Sequence, residues 1–108
     1  MAVAEINVIP LGTGTPSLSK HVASAVKVLQ QEKDLKYEIN SMGTVIEGDV
    51  DKILAVARKM HEAPFSEGFA RVETIIKIDD RRDKTLSMSS KVESLKNVIA
   101  RSVSDRAI

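Results

Sequence analysis

The fold is decided by the stretch LKYEINSMGTVIEGD, residues 35–49. Within it, Leu35–Asn40 and Thr44–Glu47 have the length and composition of short strands, and Ser41–Gly43 between them has the composition of a turn. Asp49, just after the second strand, belongs to the residue types that cap helix N-termini. The stretch therefore predicts a β-hairpin that leads directly into a helix.

Strand and helix patterns also precede the hairpin. Ala2–Pro10 alternates between two sides, one of them apolar, which predicts a first strand. A helix is expected to follow and to end near Glu32, because apolar residues recur at helical spacing before it: Val22, Ala25, Val26 and Leu29.

The pattern continues after the hairpin. The helix that follows Asp49 is expected to break within Ala63–Gly68. Arg71–Asp79 alternates most clearly of all and predicts a fourth strand. Ser90 and Glu93 fit a capping box at the start of a closing helix marked by Val92, Leu95, Ile99 and Val103.

The predicted order is β-α-β-β-α-β with an additional C-terminal helix. Two strand-helix-strand units joined through a hairpin form a split β-α-β sandwich, in which both main helices cover one face of the sheet. The sequence therefore predicts an α+β, ferredoxin-like fold. Residues 1–108 are expected to form a single domain.

The sheet face away from the helices has an unusual predicted composition. It mixes charged and polar residues with apolar ones, namely Glu5, Asn7, Glu73 and Lys77 among Val3, Ile9 and Ile75. This face is too apolar for a fully solvated surface and too polar for a core. A wet interface or a ligand site fits the mixture.

Composition narrows the classes of partner. The net charge is +1, so we expect no nucleic acid and no membrane surface as partner. The absence of cysteine excludes disulfides and thiolate chemistry. No apolar run reaches the roughly 18 residues of a membrane helix, and the first residues do not resemble a signal peptide. We expect a cytoplasmic location, and self-association is plausible because a chain this small gains stability from burying a face.

The loop PLGTGTPSLSK, residues 10–20, lies between the first strand and the first helix. Backbone N–H groups at such a place can hold an anion. The loop has neither a Walker A motif nor a dinucleotide fingerprint. A plain capped connection and a ligand-contacting loop both remain open.

The end of the hairpin carries Thr44 and Glu47. A carboxylate near hydroxyl groups suits a cation or an aminated ring, although an ordinary solvent-facing hairpin explains the same residues. Strand alternation could place the two side chains on different faces or a bend could bring them together.

Catalytic and metal-binding patterns are weak. His61 and Glu62 begin like a zinc-protease helix, but Phe65 occupies the place of the second histidine. Aromatic residues are too few for the base-stacking platform of an RNA-recognition domain. We expect no catalytic residues, no metal site and no cofactor.

Four motifs in order resemble one family. They are Asn7–Thr13, Met42–Asp49, His61-Glu62 with Gly68–Thr74, and Lys77–Lys84. Together they resemble the small thiamine-binding protein family, and the resemblance covers nearly the whole chain. It implies a ferredoxin-like protomer that dimerises and commonly forms tetramers through its sheets. It also implies non-catalytic binding of thiamine or its hydroxymethylpyrimidine half.

The matched motif positions suggest a binding site. The carboxylate for the thiazolium cation would be Glu47, the neutral hydrogen-bonding partners would be Thr44, Ser17 and Asn7, and Met42 would form an apolar wall. Such a site offers few aromatic rings for stacking.

Two other functions remain open at this point. The chain could be an enzyme that handles a phosphorylated metabolite at the loop Gly12–Ser19. It could also be a structural or regulatory oligomer without a small-molecule ligand, whose open sheet face contacts protein alone.

Overall fold

The computed structural model describes residues 1–12, 14 and 19–106, with the backbone alone for residues 19–21 and 102–106. The described part forms four strands and three α-helices, with a short 3-10 helix after the first α-helix. In chain order they are β1 (Ala2–Pro10), α1 (Ser19–Lys27), the 3-10 helix (Val28–Gln31), β2 (Lys36–Asn40), β3 (Gly43–Gly48), α2 (Val50–Ser66), β4 (Val72–Asp80) and α3 (Met88–Arg106). The predicted α+β ferredoxin-like fold with a C-terminal helix is confirmed.

The sheet is antiparallel throughout, with the strand order β2-β3-β1-β4. The central strand β1 pairs with β4 along its whole length, from Ala2 to Pro10. It pairs with β3 from Ala2 to Ile6 alone. Within the described residues, the last part of β1 therefore has a neighbouring strand on one side and none on the other.

The core lies between the sheet and the helices α1 and α2. Alternate residues of β1 point into it, because successive side chains of a strand point to opposite faces. The buried side chains of the core include Ala4, Ile6 and Val8 from β1, Ile46 from β3, Leu29 from the 3-10 helix, and Ile53, Val56 and Met60 from α2. Burial of each large aliphatic side chain stabilises the fold by roughly 1.5–3 kcal/mol.

The opposite sheet face has the predicted mixed composition. Cross-strand partners share a face, and the β1–β4 register pairs Glu5 with Lys77 and Asn7 with Ile75. Charged, amide and apolar side chains thus alternate on a surface that α1 and α2 do not cover.

The second helix ends within the predicted range. We predicted a break within Ala63–Gly68, and α2 ends at Ser66 with Pro64 inside its last turn. Proline removes one hydrogen bond from a helix, and near the helix end that loss is small when the ring is buried, as that of Pro64 is. Just after the helix, Gly68 has a φ of 98° and so takes the left-handed conformation that favours glycine.

The start of α3 differs from the prediction. The capping box is formed by Ser87 and Ser90 rather than by Ser90 and Glu93. The Ser90 N–H donates to Ser87 Oγ at 3.0 Å, and the Ser87 N–H donates to Ser90 Oγ at 2.9 Å. A serine hydroxyl at the third helical position can replace the usual glutamate, and the helix therefore begins at Met88.

Most of α3 lies away from the rest of the fold. The apolar side chains between Val92 and Ile99 are about half exposed or more, and Leu95 is 61% exposed. An isolated helix of this length is marginal in water. Of the helices in the described ranges, none has the length and apolar character needed to span a membrane.

Candidate functional site

A cavity of about 300 Å³ lies at the place where β1 continues beyond β3. We call this place the notch and define it by Val8–Pro10 of β1 and Ser41–Gly43 of the hairpin. The described lining of the notch cavity consists of Ile6, Asn7, Val8, Ile9, Val22, Ala25, Val26, Ile39, Asn40, Ser41, Met42, Gly43, Thr44 and Met60. Ligand sites of small molecules begin at about this size.

The notch follows from unequal strand lengths. The loop between β2 and β3 has two residues, Ser41 and Met42, so the hairpin turns back while β1 continues to Pro10. Apolar residues of α1 cover the helix side of the resulting gap. Because no strand of the described chain fills the gap, the described cavity lining includes residues from both faces of the sheet.

Thr44 is the buried polar side chain of the notch cavity. It pairs with Ile6 across the sheet and so points toward the helices. It is 4% exposed, and its hydroxyl makes no hydrogen bond to any described residue. Among the described residues, no fully enclosed side-chain oxygen or nitrogen lacks a partner. The Thr44 hydroxyl is therefore open to the cavity, where it can hydrogen-bond a polar ligand.

Asn7 lies beside Gly43 on the other face. A Cβ atom added to Gly43 would come within 2.6 Å of Asn7 Oδ1, so the missing side chain leaves room for the carboxamide. Asn40 pairs with Gly43 from the other side. Two amide side chains therefore flank one glycine at the edge of the notch.

Two exposed apolar side chains stand next to the cavity. Met42, at the tip of the hairpin, is 83% exposed, and Ile39 on β2 is exposed as well. Exposed apolar groups beside a cavity favour contact with a ligand or a partner.

The described lining contains no charged side chain. It offers two amides, two hydroxyl groups and apolar walls. This chemistry suits a neutral, flat molecule with hydrogen-bonding edges, and it does not by itself stabilise a permanent cation.

The structure brings together three of the five residues suggested by sequence. Asn7, Met42 and Thr44 all line the notch cavity. Ser17 lies outside the described residues. Glu47 lies elsewhere: it is three residues from Thr44, which is about 10 Å along a strand, and it points to the opposite face.

Glu47 lines a second cavity at the far end of the sheet. Its side chain is 7% exposed, and Lys36 is its cross-strand neighbour. In the same cavity, Lys52 Nζ lies 2.9 Å from Asp34 Oδ2. The hydrogen bond and the charge of Lys52 lower the pKa of Asp34.

Sequence reasoning missed several residues of the notch cavity, above all Val8 on β1 and Asn40 on β2. A signal was present, because the first strand was predicted to reach Pro10 while the hairpin loop was predicted to be short. What the sequence did not give was the register that places the hairpin tip beside Val8.

The His61 side chain links α2 to β4 through a hydrogen bond. Its Nδ1 lies 2.7 Å from Thr74 Oγ1, and its ring meets Phe65 edge to face with centroids 5.3 Å apart. Over residues 1–12, 14 and 19–106, no three His, Asp or Glu side chains are grouped so that they could hold a metal ion. The side chain of His21 lies outside the described residues.

Comparison with known proteins gives a consistent result. The chain matches the family described as thiamine-binding protein over residues 4–96. UPF0045 protein YqgV of Bacillus subtilis is 48% identical over 98 residues, which cover 88% of this chain and 94% of the relative.

Solved structures agree on the fold. A hypothetical protein from Methanocaldococcus jannaschii has a TM-score of 0.80 at 40% identity, over 88% of this chain and 95% of that chain. A Thermotoga maritima protein with a proposed role in thiamine biosynthesis or salvage has a TM-score of 0.71 over 87% of this chain and 97% of that one; its identity of 18% supports the fold alone. With the match over residues 4–96, this chain belongs to the thiamine-binding protein family.

Proposed function

We propose that the chain is a non-catalytic binding protein for thiamine or its hydroxymethylpyrimidine half, and that the pyrimidine ring occupies the notch cavity. The observation that carries the proposal is the Thr44 hydroxyl, which makes no hydrogen bond to a described residue and lines a cavity of about 300 Å³ with mostly apolar described walls. Membership of the thiamine-binding protein family supports the same ligand class.

The chemistry of the pyrimidine fits the lining. The ring is flat and apolar on its faces, and its edge carries an amino group and ring nitrogens that donate and accept hydrogen bonds. Thr44 and Asn7 supply neutral hydrogen-bonding groups, and Met42 supplies a polarisable wall. Ligand pockets typically combine apolar walls with a few polar groups in this way.

The charge distribution favours the pyrimidine half over the thiazolium half as the buried part. Because the described lining is uncharged, the thiazolium cation of a bound thiamine would sit at the mouth of the cavity, in contact with water. Glu47 lies about 10 Å along β3 from Thr44, at the far end of the sheet, which is too far to contact a pyrimidine that touches Thr44. Contact between Glu47 and the cation therefore stays a separate proposal.

A thermal-shift titration tests this function. A ligand at ten times its Kd stabilises the folded state by about 1.4 kcal/mol. For a protein of roughly 100 residues this raises Tm by several degrees. We expect a dose-dependent rise with hydroxymethylpyrimidine and with thiamine, and no rise with inorganic phosphate.

Thr44→Val and Thr74→Val form a matched pair for this titration. Thr44→Val removes the unpaired hydroxyl, so the free protein should keep its Tm or gain slightly, while the ligand-induced rise should shrink. Thr74→Val removes the contact with His61 and should lower Tm without changing the ligand-induced rise. If all pyrimidines fail to shift Tm at millimolar concentration, the proposed ligand is wrong.

We further propose that the protein functions as a homo-oligomer. The support is the set of exposed apolar side chains on α3, which are Val92, Leu95, Val98 and Ile99, and on β4, which are Ile75, Ile76 and Ile78. Exposed apolar groups in such numbers are unusual for a monomer.

Light scattering coupled to size-exclusion chromatography tests the oligomer. The unmodified protein should elute with the mass of a dimer or tetramer, and Leu95→Glu should shift it to lower mass because a charge would enter the buried face. Lys96→Glu changes the neighbouring exposed residue and serves as the charge control. A monomeric unmodified protein at micromolar concentration would contradict the proposal.

A further inference from the structure

The backbone of β1 has a fixed alternation of hydrogen-bonding direction. In an antiparallel sheet, the N–H and C=O groups of one residue point to the same neighbour, and those of the next residue point to the opposite neighbour. The Leu11 N–H donates to the Arg71 C=O at 3.0 Å, which extends the β1–β4 ladder. Odd-numbered residues of β1 therefore face β4, and even-numbered residues face β3.

Ile6 is the last even-numbered residue with a partner on β3, where it pairs with Thr44. Beyond it, Val8 directs its N–H and C=O into the notch. No described residue provides a hydrogen bond to these two groups on that side. Pro10, the next residue with the same direction, has no N–H group.

Val8 is buried and lines the notch cavity. The great majority of buried backbone groups in native proteins have a hydrogen-bonding partner, so a buried donor and acceptor that face a cavity together indicate a missing partner. A donor and an acceptor on one residue also match a ligand that carries an acceptor beside a donor.

We propose that the main chain of Val8 binds the amino edge of the pyrimidine, with its N–H donating to a ring nitrogen and its C=O accepting from the adjacent amino group. This inference rests on the proposed function and adds the groups that recognise the ligand. The ligand edge takes the place of the strand residue that would otherwise continue β3.

A second strand is a poorer occupant of the notch than a small ring. The unpaired edge includes one residue with both a donor and an acceptor, since Pro10 lacks the donor. Prolines at strand edges oppose pairing with further strands. The apolar cover by Val22, Ala25 and Val26 of α1 also limits the space to that of a small molecule.

Hydrogen exchange of the free protein, followed by NMR, is the first part of the test. The Val8 amide should exchange much faster than the amides of Ile6 and Ile9, which face β3 and β4 within the ladders. An equally slow Val8 amide in the free protein would show that it already has a partner and would overturn the inference, whatever the ligand.

Ligand binding is the second part. Hydroxymethylpyrimidine should shift and protect the Val8 amide, while the Ile9 amide should change little. The analogue without the amino group should bind roughly tenfold to a hundredfold more weakly, because it leaves the Val8 C=O unpaired.

The outcomes separate the inference from the proposed function. If hydroxymethylpyrimidine binds but the Val8 amide does not respond and the analogue binds equally well, the inference is wrong and the proposed function stands. If no pyrimidine binds at all, both are overturned.

Discussion

The substitution Gly43→Ala tests the geometry of the proposed site with little disturbance of the fold. Gly43 does not have a positive φ, so alanine can adopt its backbone conformation. The added Cβ would lie 2.6 Å from Asn7 Oδ1 and 3.3 Å from Asn7 Cγ and Nδ2. The carboxamide must retreat by about 0.8 Å to restore ordinary van der Waals contact.

This displacement should weaken binding more than it weakens folding. A displaced amide loses about one ligand hydrogen bond, worth roughly 0.5–1.5 kcal/mol, which is a two- to twelvefold loss of affinity. Replacing glycine within a strand gains about 0.5–1 kcal/mol and offsets the crowding. The free energy of unfolding should therefore change by less than about 1 kcal/mol.

Calorimetric titration with hydroxymethylpyrimidine measures the affinity, and urea denaturation measures the stability. Gly48→Ala is the matched control on the same strand, because its Cβ would collide with the side chain of the buried Leu35 instead of Asn7. It should lower stability by about 1–3 kcal/mol and spare affinity. Unchanged affinity of Gly43→Ala would show that the Asn7 carboxamide does not contact the ligand.

Three further predictions concern other parts of the chain. Met42→Ala should weaken pyrimidine binding about two- to fivefold in the same titration, because it removes an exposed apolar wall; an unchanged Kd would exclude Met42 from the site. Glu47→Gln should leave the Kd for hydroxymethylpyrimidine unchanged, and a loss confined to thiamine would assign the carboxylate to the thiazolium ring. Arg81 holds the pKa of Asp83 at about 2 through a hydrogen bond, so Arg81→Gln should raise that pKa in a carbon-13 NMR titration. The Arg81–Asp83 pair stabilises the fold at pH values above the ordinary carboxyl pKa and loses this effect as the pH falls toward 2. Because both groups are exposed, the change in the free energy of unfolding should be small. A pKa of Asp83 that stays near 2 in Arg81→Gln would contradict the assignment.

Much of the fold could be predicted because it depends on local periodicity. Alternation along β1 and β4 and the hairpin between Asn40 and Gly43 are set by neighbouring residues, and the structure confirms them. The end of α2 at Ser66 falls within the predicted range Ala63–Gly68, whereas the inclusion of Pro64 in the helix depends on burial of its ring, which is a tertiary effect. The start of α3 was mispredicted because two serines satisfy the capping groups that a glutamate usually satisfies.

The candidate site depends on how strands pair with one another, and this involves residues that are distant in the sequence. Thr44 and Glu47 are an odd number of residues apart on one strand, so alternation alone separates them onto opposite faces. That Val8 meets the hairpin tip depends on the register between β1 and β3, which the sequence of either strand alone does not specify.

Binding of a pyrimidine in the notch cavity is tested most directly by calorimetric titration of the unmodified protein with hydroxymethylpyrimidine. We expect saturable binding with one site per chain, weakened by Thr44→Val and retained in Thr74→Val. The absence of saturable heat up to millimolar ligand, or equal affinity in Thr44→Val and the unmodified protein, would contradict it.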